Sequence, residues 1–168
     1  GGGAHTNEKI IASSSSKFIC IVDKSKLVNT LGAFPLPLEL ITESKEQVIE
    51  HCKKYTQSIT VRKDLSDNGN TLIDLHGMKI TDPLKIENEI NKIDWVIEVG
   101  IFAKNKPRIV IVGKDEGYES IESWIAWIIF GSFGSTLCEK LRTCPFFVIK
   151  NLWKFHFGLP FVFVNNFL

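Results

Sequence analysis

An ordered run of short elements between residues 36 and 102 constrains the fold of this chain most strongly. Four stretches rich in apolar and β-branched residues predict strands, and two stretches with helical spacing of apolar residues alternate with them. Strands are predicted at 36–41, 58–65, 71–77 and 94–102, and helices at 44–55 and 82–93. The segment 67–70, DNGN, predicts a hairpin turn because Asn-Gly readily adopts positive φ. The resulting order, β-α-β-β-α-β, is the ferredoxin-like arrangement.

Two more buried strands lie outside this run. KFICIVD at 17–23 is a short apolar stretch bounded by charged residues, and PRIVIVG at 107–113 is a second one that could join the same sheet. A helix is predicted before them from about Asn7 to Ser15, with the Thr6 hydroxyl as its cap. Strands and helices thus alternate, which indicates an α/β chain.

Composition narrows the class of protein. The length of 168 residues suits one domain, or one and a part. The formal net charge of +1, with both signs mixed along the chain, argues against a nucleic-acid-binding protein. The start of the chain lacks the pattern of a secretory signal.

The four cysteines form no C-x-x-C pair and predict reduced thiols in a cytosolic protein. Cys138, Cys144 and His156 match no zinc pattern, so no metal is predicted.

The composition changes at Trp124. Three of the four tryptophans and nine of the twelve phenylalanines follow Ser123. Three explanations stay open for this segment: untranslated or intronic sequence, an extension that packs on the domain, or a membrane-associating segment. The apolar run 124–138 is shorter than the ~20 residues that span a bilayer.

A glycine run precedes the first predicted helix. Glycines there let backbone N–H groups approach an oxyanion, and a carboxylate beside such donors, here Glu8, can act as a base. Glu8 can equally just complement the helix dipole. Lys26 follows the strand at 17–23, at the end where α/β folds place ligand contacts, but a solvated loop lysine explains it too. His5 adjoins the loop and could touch a ligand, whereas His76 fits a structural role at a strand end.

Five segments recur together in one known family, in the same order and spacing: GGGAHTNEKIIA, KFICIVDKSKLVNTLGAFPLPLEL, DNGNTLIDLHGMKITDP, VGIFA and VIVGKDEGYESI. On these segments the chain, from Gly1 to about Ile121, resembles the ribose-5-phosphate isomerase A family. The resemblance implies interconversion of D-ribose 5-phosphate and D-ribulose 5-phosphate through an enediolate, in the pentose phosphate pathway, without a metal or other cofactor. It implies that Glu8 is the catalytic base and that Gly1, Gly2, Gly3 and Lys26 bind the substrate.

The resemblance also implies a fold and a setting. The fold class is α/β, a partial Rossmann-like sheet plus a ferredoxin-like (βαββαβ) α+β subdomain. We expect the catalytic domain to contribute 1–33, the ferredoxin-like subdomain 34–103 and a return strand 104–122, with an aromatic-rich tail at 123–168. A cytoplasmic protein is expected, a homo-oligomer when complete, whose partner is a small sugar phosphate rather than nucleic acid or a membrane.

The family pattern extends beyond what this sequence contains. The resemblance implies that a lysine just before the glycines, an acidic segment and a phosphate loop lie upstream of the position of Gly1. We therefore expect a C-terminal fragment that begins within an active site and is inactive or weakly folded alone. The alternative is a non-catalytic ferredoxin-like fragment with a binding or oligomerisation role. The presence of the upstream half in the source gene would discriminate the two.

Overall fold

The computed structural model describes residues 2–122 and the strand at 161–165. The described residues form two four-stranded sheets. In chain order the elements are α1 (His5–Ser14), β1 (Lys17–Asp23), β2 (Leu36–Leu40), α2 (Lys45–Cys52), β3 (Ile59–Val61), β4 (Thr71–Leu75), α3 (Pro83–Ile90), β5 (Val96–Val99), β6 (Ile109–Gly113), β7 (Tyr118–Glu122) and β8 (Phe161–Asn165).

The ferredoxin-like arrangement is confirmed. The strands of one sheet lie in the order β3-β4-β2-β5, and all three pairings are antiparallel. Val48 and Cys52 of α2 and Ile90 of α3 are fully buried in the core that this sheet shares with the two helices. Asp82 caps α3 as predicted, because its carboxylate accepts a hydrogen bond from the Lys85 amide at 3.0 Å. The helices therefore cover one face of this sheet.

The third predicted element is shorter than expected. The strand predicted at 58–65 ends at Val61, because residues 64–70 leave the sheet to form a turn. In this turn the Ser66 amide donates to the Asn70 carbonyl at 2.8 Å, and Gly69 has φ +81°. The hairpin predicted from DNGN is thus present, on a shorter strand.

The other sheet has the order β7-β6-β1-β8. β6 and β8 both pair with β1 in parallel, and β7 pairs with β6 antiparallel. This confirms that the strand predicted at 107–113 joins the strand predicted at 17–23. The core beside it is smaller and is formed by Ala12, Phe18, Cys20, Val22, Phe102, Val110 and Val112. The two sheets together confirm the predicted α/β fold class.

The helix α1 lies between the two sheets, and its predicted cap is wrong. The helix begins at His5, with Ala4 in the N-cap position and no side-chain cap. Thr6 instead lies inside the first turn, and its hydroxyl donates a short hydrogen bond to the Glu39 carboxylate on β2. A buried carboxylate from a distant strand therefore takes the hydroxyl that the local pattern assigned to the helix end.

Most of the aromatic-rich tail lies outside the described residues, as do Cys138, Cys144 and His156. Of the tail, the structure describes β8 beside β1. The domain boundaries given above stay a prediction. Within the described ranges, Cys20 and Cys52 are buried free thiols, and no helix there has the length and apolar character needed to cross a bilayer.

Candidate active site

The glycine loop and Lys26 lie at the same end of β1. α1 and β1 are joined by the two residues Ser15 and Ser16, and α1 packs back against β1 through Ala12. At about 1.5 Å per residue Gly3 lies roughly 18 Å back from Ser15. At about 3.3 Å per residue Asp23 lies roughly 23 Å along from Ser16. The loop before α1 and the turn after β1 therefore lie toward the same end of β1, its carboxyl end.

Glu8 lies in the first turn of α1, directly after the glycine loop. Its backbone N–H donates to the Ala4 carbonyl at 2.9 Å, and one of its carboxylate oxygens is shielded from solvent. The carboxylate lies near the Cys20 thiol of β1. Burial raises the pKa of Cys20 to about 12, and the negative charge of Glu8 adds to this effect. Glu8 is thus directed toward β1, and Cys20 stays a neutral thiol rather than a nucleophile.

Lys26 lies in a short 3-10 turn, Lys24–Lys26, that follows β1. The turn is fixed by Asp23, whose carboxylate accepts a hydrogen bond from the Ser25 amide at 2.7 Å. The Lys26 ammonium lies 5.1 Å from the centroid of the Phe34 ring, within the range of a cation–π contact. The lysine is half-buried at this end of the sheet.

The glycine loop is attached to the ferredoxin-like subdomain. The Gly2 carbonyl accepts a hydrogen bond from Nη1 of Arg62 at 2.9 Å, and the Gly3 carbonyl accepts one from the Asp67 amide at 3.3 Å. A Cβ atom on Gly3 would lie 2.8 Å from the Cα atom of Ser66, so only glycine fits there. Gly1 lies outside the described residues. The loop therefore sits against the hairpin turn at 66–70.

A buried carboxylate, Glu39, joins α1 to this hairpin turn. It is fully buried and accepts hydrogen bonds from the Thr6 hydroxyl, the Ser66 hydroxyl at 2.7 Å and Nδ2 of the Asn70 side chain at 2.7 Å. Burial alone would raise the pKa of Glu39, but these hydrogen bonds outweigh it, so the pKa lies below its ordinary value. Glu39 is therefore a charged acceptor at the point where helix and turn meet.

A buried ion-pair cluster holds the same helix one turn further on. The Lys9 ammonium lies 2.7 Å from the Glu87 carboxylate and 2.8 Å from that of Glu98. The other oxygen of Glu87 accepts hydrogen bonds from the amides of Ala103 and Lys104 at 2.7 and 2.8 Å. Burial tends to raise the pKa of Glu98, but the charge of Lys9 and the hydrogen bonds to the carboxylate hold it below its ordinary value. The cluster ties α1 to α3 and β5.

His5 is buried against the same sheet. Its Nε2 lies 3.3 Å from the Glu98 carbonyl, so this nitrogen carries the proton and donates it. Its Nδ1 is buried without a hydrogen-bond partner among the described residues. Burial lowers the pKa of His5, because the charged imidazolium loses its contact with water there. His5 is therefore a buried, neutral imidazole, and its contact with a ligand stays a prediction.

The structure thus places Gly2, Gly3, Glu8 and Lys26 around one end of β1, and it adds residues that the sequence did not single out. These are Lys9, Glu39, Arg62, Asp74, Glu87 and Glu98. A sequence signal exists for one of them, because Glu39 interrupts the apolar strand LPLEL with a charge. The described residues contain no group of three or more His, Cys, Asp or Glu side chains that could hold a metal ion.

Known proteins match most of this fold. The family model described as ribose 5-phosphate isomerase A (phosphoriboisomerase A) matches residues 1–117. Ribose-5-phosphate isomerase A of Buchnera aphidicola subsp. Acyrthosiphon pisum (strain Tuc7) is 44% identical over 122 residues, which are 72% of this chain and 55% of the relative. The chain therefore spans about half the length of the curated relatives it matches.

Solved structures agree. The crystal structure of ribose 5-phosphate isomerase A from Neisseria gonorrhoeae matches with a TM-score of 0.70 and 44% identity, over 73% of this chain and 55% of that one. A D-ribose-5-phosphate isomerase in complex with phospho-erythronic acid matches with a TM-score of 0.66 and 41% identity, over 71% and 55% of the two chains. As its five sequence segments predicted, the chain belongs to the ribose 5-phosphate isomerase A family.

Proposed function

We propose that the protein is an aldose–ketose isomerase that interconverts D-ribose 5-phosphate and D-ribulose 5-phosphate. The family match over residues 1–117 supports this activity. The relative in complex with phospho-erythronic acid, a phosphorylated sugar acid, supports a sugar phosphate as the substrate class. Because the chain spans about half of its relatives, the activity is proposed for the protein that completes the site. The comparisons give no separate support to a non-catalytic binding or oligomerisation role.

Glu8 is the proposed base, and its position is the observation that carries the proposal. The isomerisation removes a proton from the carbon beside the carbonyl, forms an enediolate and returns the proton to the neighbouring carbon, while the hydroxyl proton passes from one enediolate oxygen to the other. One carboxylate performs both transfers if it is held in place and partly shielded from water. Glu8 meets these conditions, since it lies in the first turn of α1 with one oxygen shielded from solvent.

The glycine loop and Lys26 are the proposed substrate contacts. The negative charge of an enediolate needs hydrogen-bond donors, which the backbone N–H groups at the start of α1 supply. Lys26 adds a positive charge at the same end of β1, suited to a phosphate or an enediolate oxygen. Gly2 leaves room for the substrate to approach the backbone, because, apart from its chain neighbours, no described residue lies within 4 Å of the position of a Cβ atom there. Gly1 and Gly3 are proposed substrate contacts on the family resemblance. A cytoplasmic location and a homo-oligomeric state remain predictions from the family.

The test is ribose 5-phosphate isomerisation by the purified 168-residue chain and by the product of the full source gene, each with Glu8→Gln. We expect the gene product to isomerise and Glu8→Gln to lower kcat by about 10²–10⁴-fold, the usual contribution of a general base. The exposed Glu43→Gln is the matched control and should leave kcat unchanged. A Glu8→Gln variant with full activity would refute the role of Glu8. A gene product without isomerase activity would refute the function and favour the non-catalytic alternative.

A further inference from the structure

We propose that Arg62 is a positioning residue that holds the glycine loop in the orientation the reaction needs. The inference rests on the proposed function of that loop. Arg62 belongs to the ferredoxin-like subdomain, and it lies sixty positions along the chain from the glycine whose carbonyl it binds. It therefore gives the second subdomain a direct part in the active site, through contacts made by one guanidinium group.

The guanidinium uses three nitrogens at once. Nε and Nη2 each lie 2.7 Å from a different carboxylate oxygen of Asp74, in the bidentate geometry typical of arginine and aspartate. Nη1 then donates to the Gly2 carbonyl at 2.9 Å. The Arg62 and Asp74 side chains are only 17% and 14% exposed, so the pair is partly desolvated. Asp74 thus fixes the plane of the guanidinium, and the remaining nitrogen is directed at the loop.

The sheet itself sets this geometry. Asp74 lies on β4 opposite Thr60 of β3, and the Arg62 amide extends the same ladder by donating to the Leu72 carbonyl at 2.9 Å. Because side chains alternate between the faces of a strand, Thr60 and Arg62 share the face that carries Asp74. This is also the face of Glu39 and Glu98, on which α1 packs. Arg62 is therefore anchored to a regular ladder rather than to a loose loop.

The anchoring determines which way the loop N–H groups point. Arg62 and Asp67 bind the consecutive carbonyls of Gly2 and Gly3. In a trans peptide the C=O and N–H groups point in opposite directions. The N–H groups of Gly3 and Ala4 must therefore point away from the ferredoxin-like sheet. Glycine has wide conformational freedom, and Gly2 has φ +62°, so an outside contact is needed to keep this orientation.

Lysine cannot replace arginine in this role, which provides a sharp test. In Arg62→Lys the ammonium can pair with Asp74. Its single nitrogen cannot at the same time reach the Gly2 carbonyl, as the third nitrogen of the guanidinium does. The variant should therefore fold with little loss of stability while the loop loses its contact. Arg108→Lys is the matched control, because the Arg108 side chain is exposed. The contact described for Arg108 is made by its backbone amide, which donates to the Phe18 carbonyl and is kept in the variant.

The first experiment measures amide hydrogen exchange in the 168-residue chain. We expect Arg62→Lys to speed exchange of the Asp67 amide, which binds the Gly3 carbonyl, and of the Glu8 amide by about tenfold, as for loss of one hydrogen bond to a charged donor. Amides of the β1–β6 ladder should exchange as in the wild-type chain. If Arg62→Lys and Arg108→Lys exchange alike at Asp67 and Glu8, Arg62 does not hold the loop. This outcome is independent of any enzymatic activity.

The second experiment measures isomerisation by the full gene product carrying each variant. We expect Arg62→Lys to lower kcat at least about tenfold with Tm nearly unchanged, since a displacement of about 1 Å can cost about a hundredfold in rate. If Arg62 has a purely structural role, Arg62→Lys should lower Tm and leave kcat unchanged. That result would overturn the proposal. Faster exchange with an unchanged kcat would overturn it as well. A wild-type gene product that does not isomerise would instead refute the proposed function, while the exchange data still decide whether Arg62 holds the loop.

Discussion

The two faces of the ferredoxin-like sheet differ in chemistry and in what they do. One face carries the alternate leucines of β2, which are fully buried against α2 and α3. The other carries Glu39, Asp74 and Glu98, which contact α1 and the glycine loop. Both faces are covered, one by apolar packing and the other by hydrogen bonds and ion pairs.

The difference separates stability from position. Apolar contacts are not directional, so the leucine face holds its helices without specifying their arrangement in detail. Buried charges are satisfied only in a narrow set of geometries, because an unpaired buried charge is costly. The charged face therefore fixes where α1 lies, and with it the position of Glu8. Variants on the two faces can separate these effects.

The largest effect is expected on the charged face, for Lys9→Met. The substitution leaves the carboxylates of Glu87 and Glu98 partly or fully buried without the ammonium that lies 2.7 and 2.8 Å from them. Removing one partner of such a buried cluster should lower the free energy of unfolding by about 4 kcal/mol, measured by urea denaturation. Lys85→Met is the control, since Lys85 is exposed and 3.9 Å from Glu89, and it should change the value by less than about 0.5 kcal/mol. Equal effects of the two variants would show that the cluster does not fix α1.

A somewhat smaller effect is expected on the leucine face, for Leu38→Ala. Leu38 is fully buried between the Ile73 and Val99 positions of the neighbouring strands. Its truncation should lower the free energy of unfolding by about 3 kcal/mol, through lost burial and a residual cavity. Leu27→Ala is matched in chemistry, but Leu27 is 47% exposed, and we expect a change of less than about 0.5 kcal/mol. Leu38→Ala should not speed exchange of the Asp67 amide beyond what the lower overall stability of the variant explains, because the hydrogen bond of this amide to the Gly3 carbonyl is kept. Selective loosening at Asp67 would contradict the separation of the two faces.

The leucine face was predictable from the sequence, because its signals are local. Alternation along 36–41, the Asn-Gly turn and the Asp82–Pro83 helix start each depend on neighbouring residues. The ferredoxin-like order follows from these signals and the short connections between them. Glu8 and Lys26 became candidate site residues through the family resemblance, since their local patterns were equally consistent with a helix-dipole residue and a solvated lysine.

The charged face was not predictable, because its partners are distant in sequence. Lys9 binds residues 78 and 89 positions away, and Glu39 receives the Thr6 hydroxyl from 33 positions away. The alternation in LPLEL places Glu39 on the other face of the strand from the leucines, but it does not indicate which element covers that face. The wrong prediction for Thr6 has the same cause. Its local capping preference is worth about 1 kcal/mol, and a hydrogen bond to a buried carboxylate can exceed that.

The smallest effect concerns pH and the neutral His5, which touches the charged face. Burial lowers the pKa of His5; the carboxylates of Glu39 and Glu98 oppose this, and Lys9 reinforces it. Because the pKa of the folded state lies below 6.5, the unfolded chain binds the proton first as the pH falls. The free energy of unfolding should therefore decrease below about pH 6.5, by at most about 1.4 kcal/mol per pH unit for this group.

Urea denaturation between pH 7 and pH 5 tests this, because the lowered pKa values of Glu39 and Glu98 place their loss of stability below this window. His5→Gln can still donate to the Glu98 carbonyl but does not titrate, so it should flatten the pH dependence. The exposed His51→Gln should leave the dependence as in the wild-type chain. If His5→Gln keeps the full dependence of the free energy of unfolding on pH, His5 does not contribute to it. The folded protein would then accommodate His5 as an imidazolium. The charged face would then tolerate an extra positive charge, and its geometry would fix α1 less strictly than the contacts of Glu39 and Lys9 indicate.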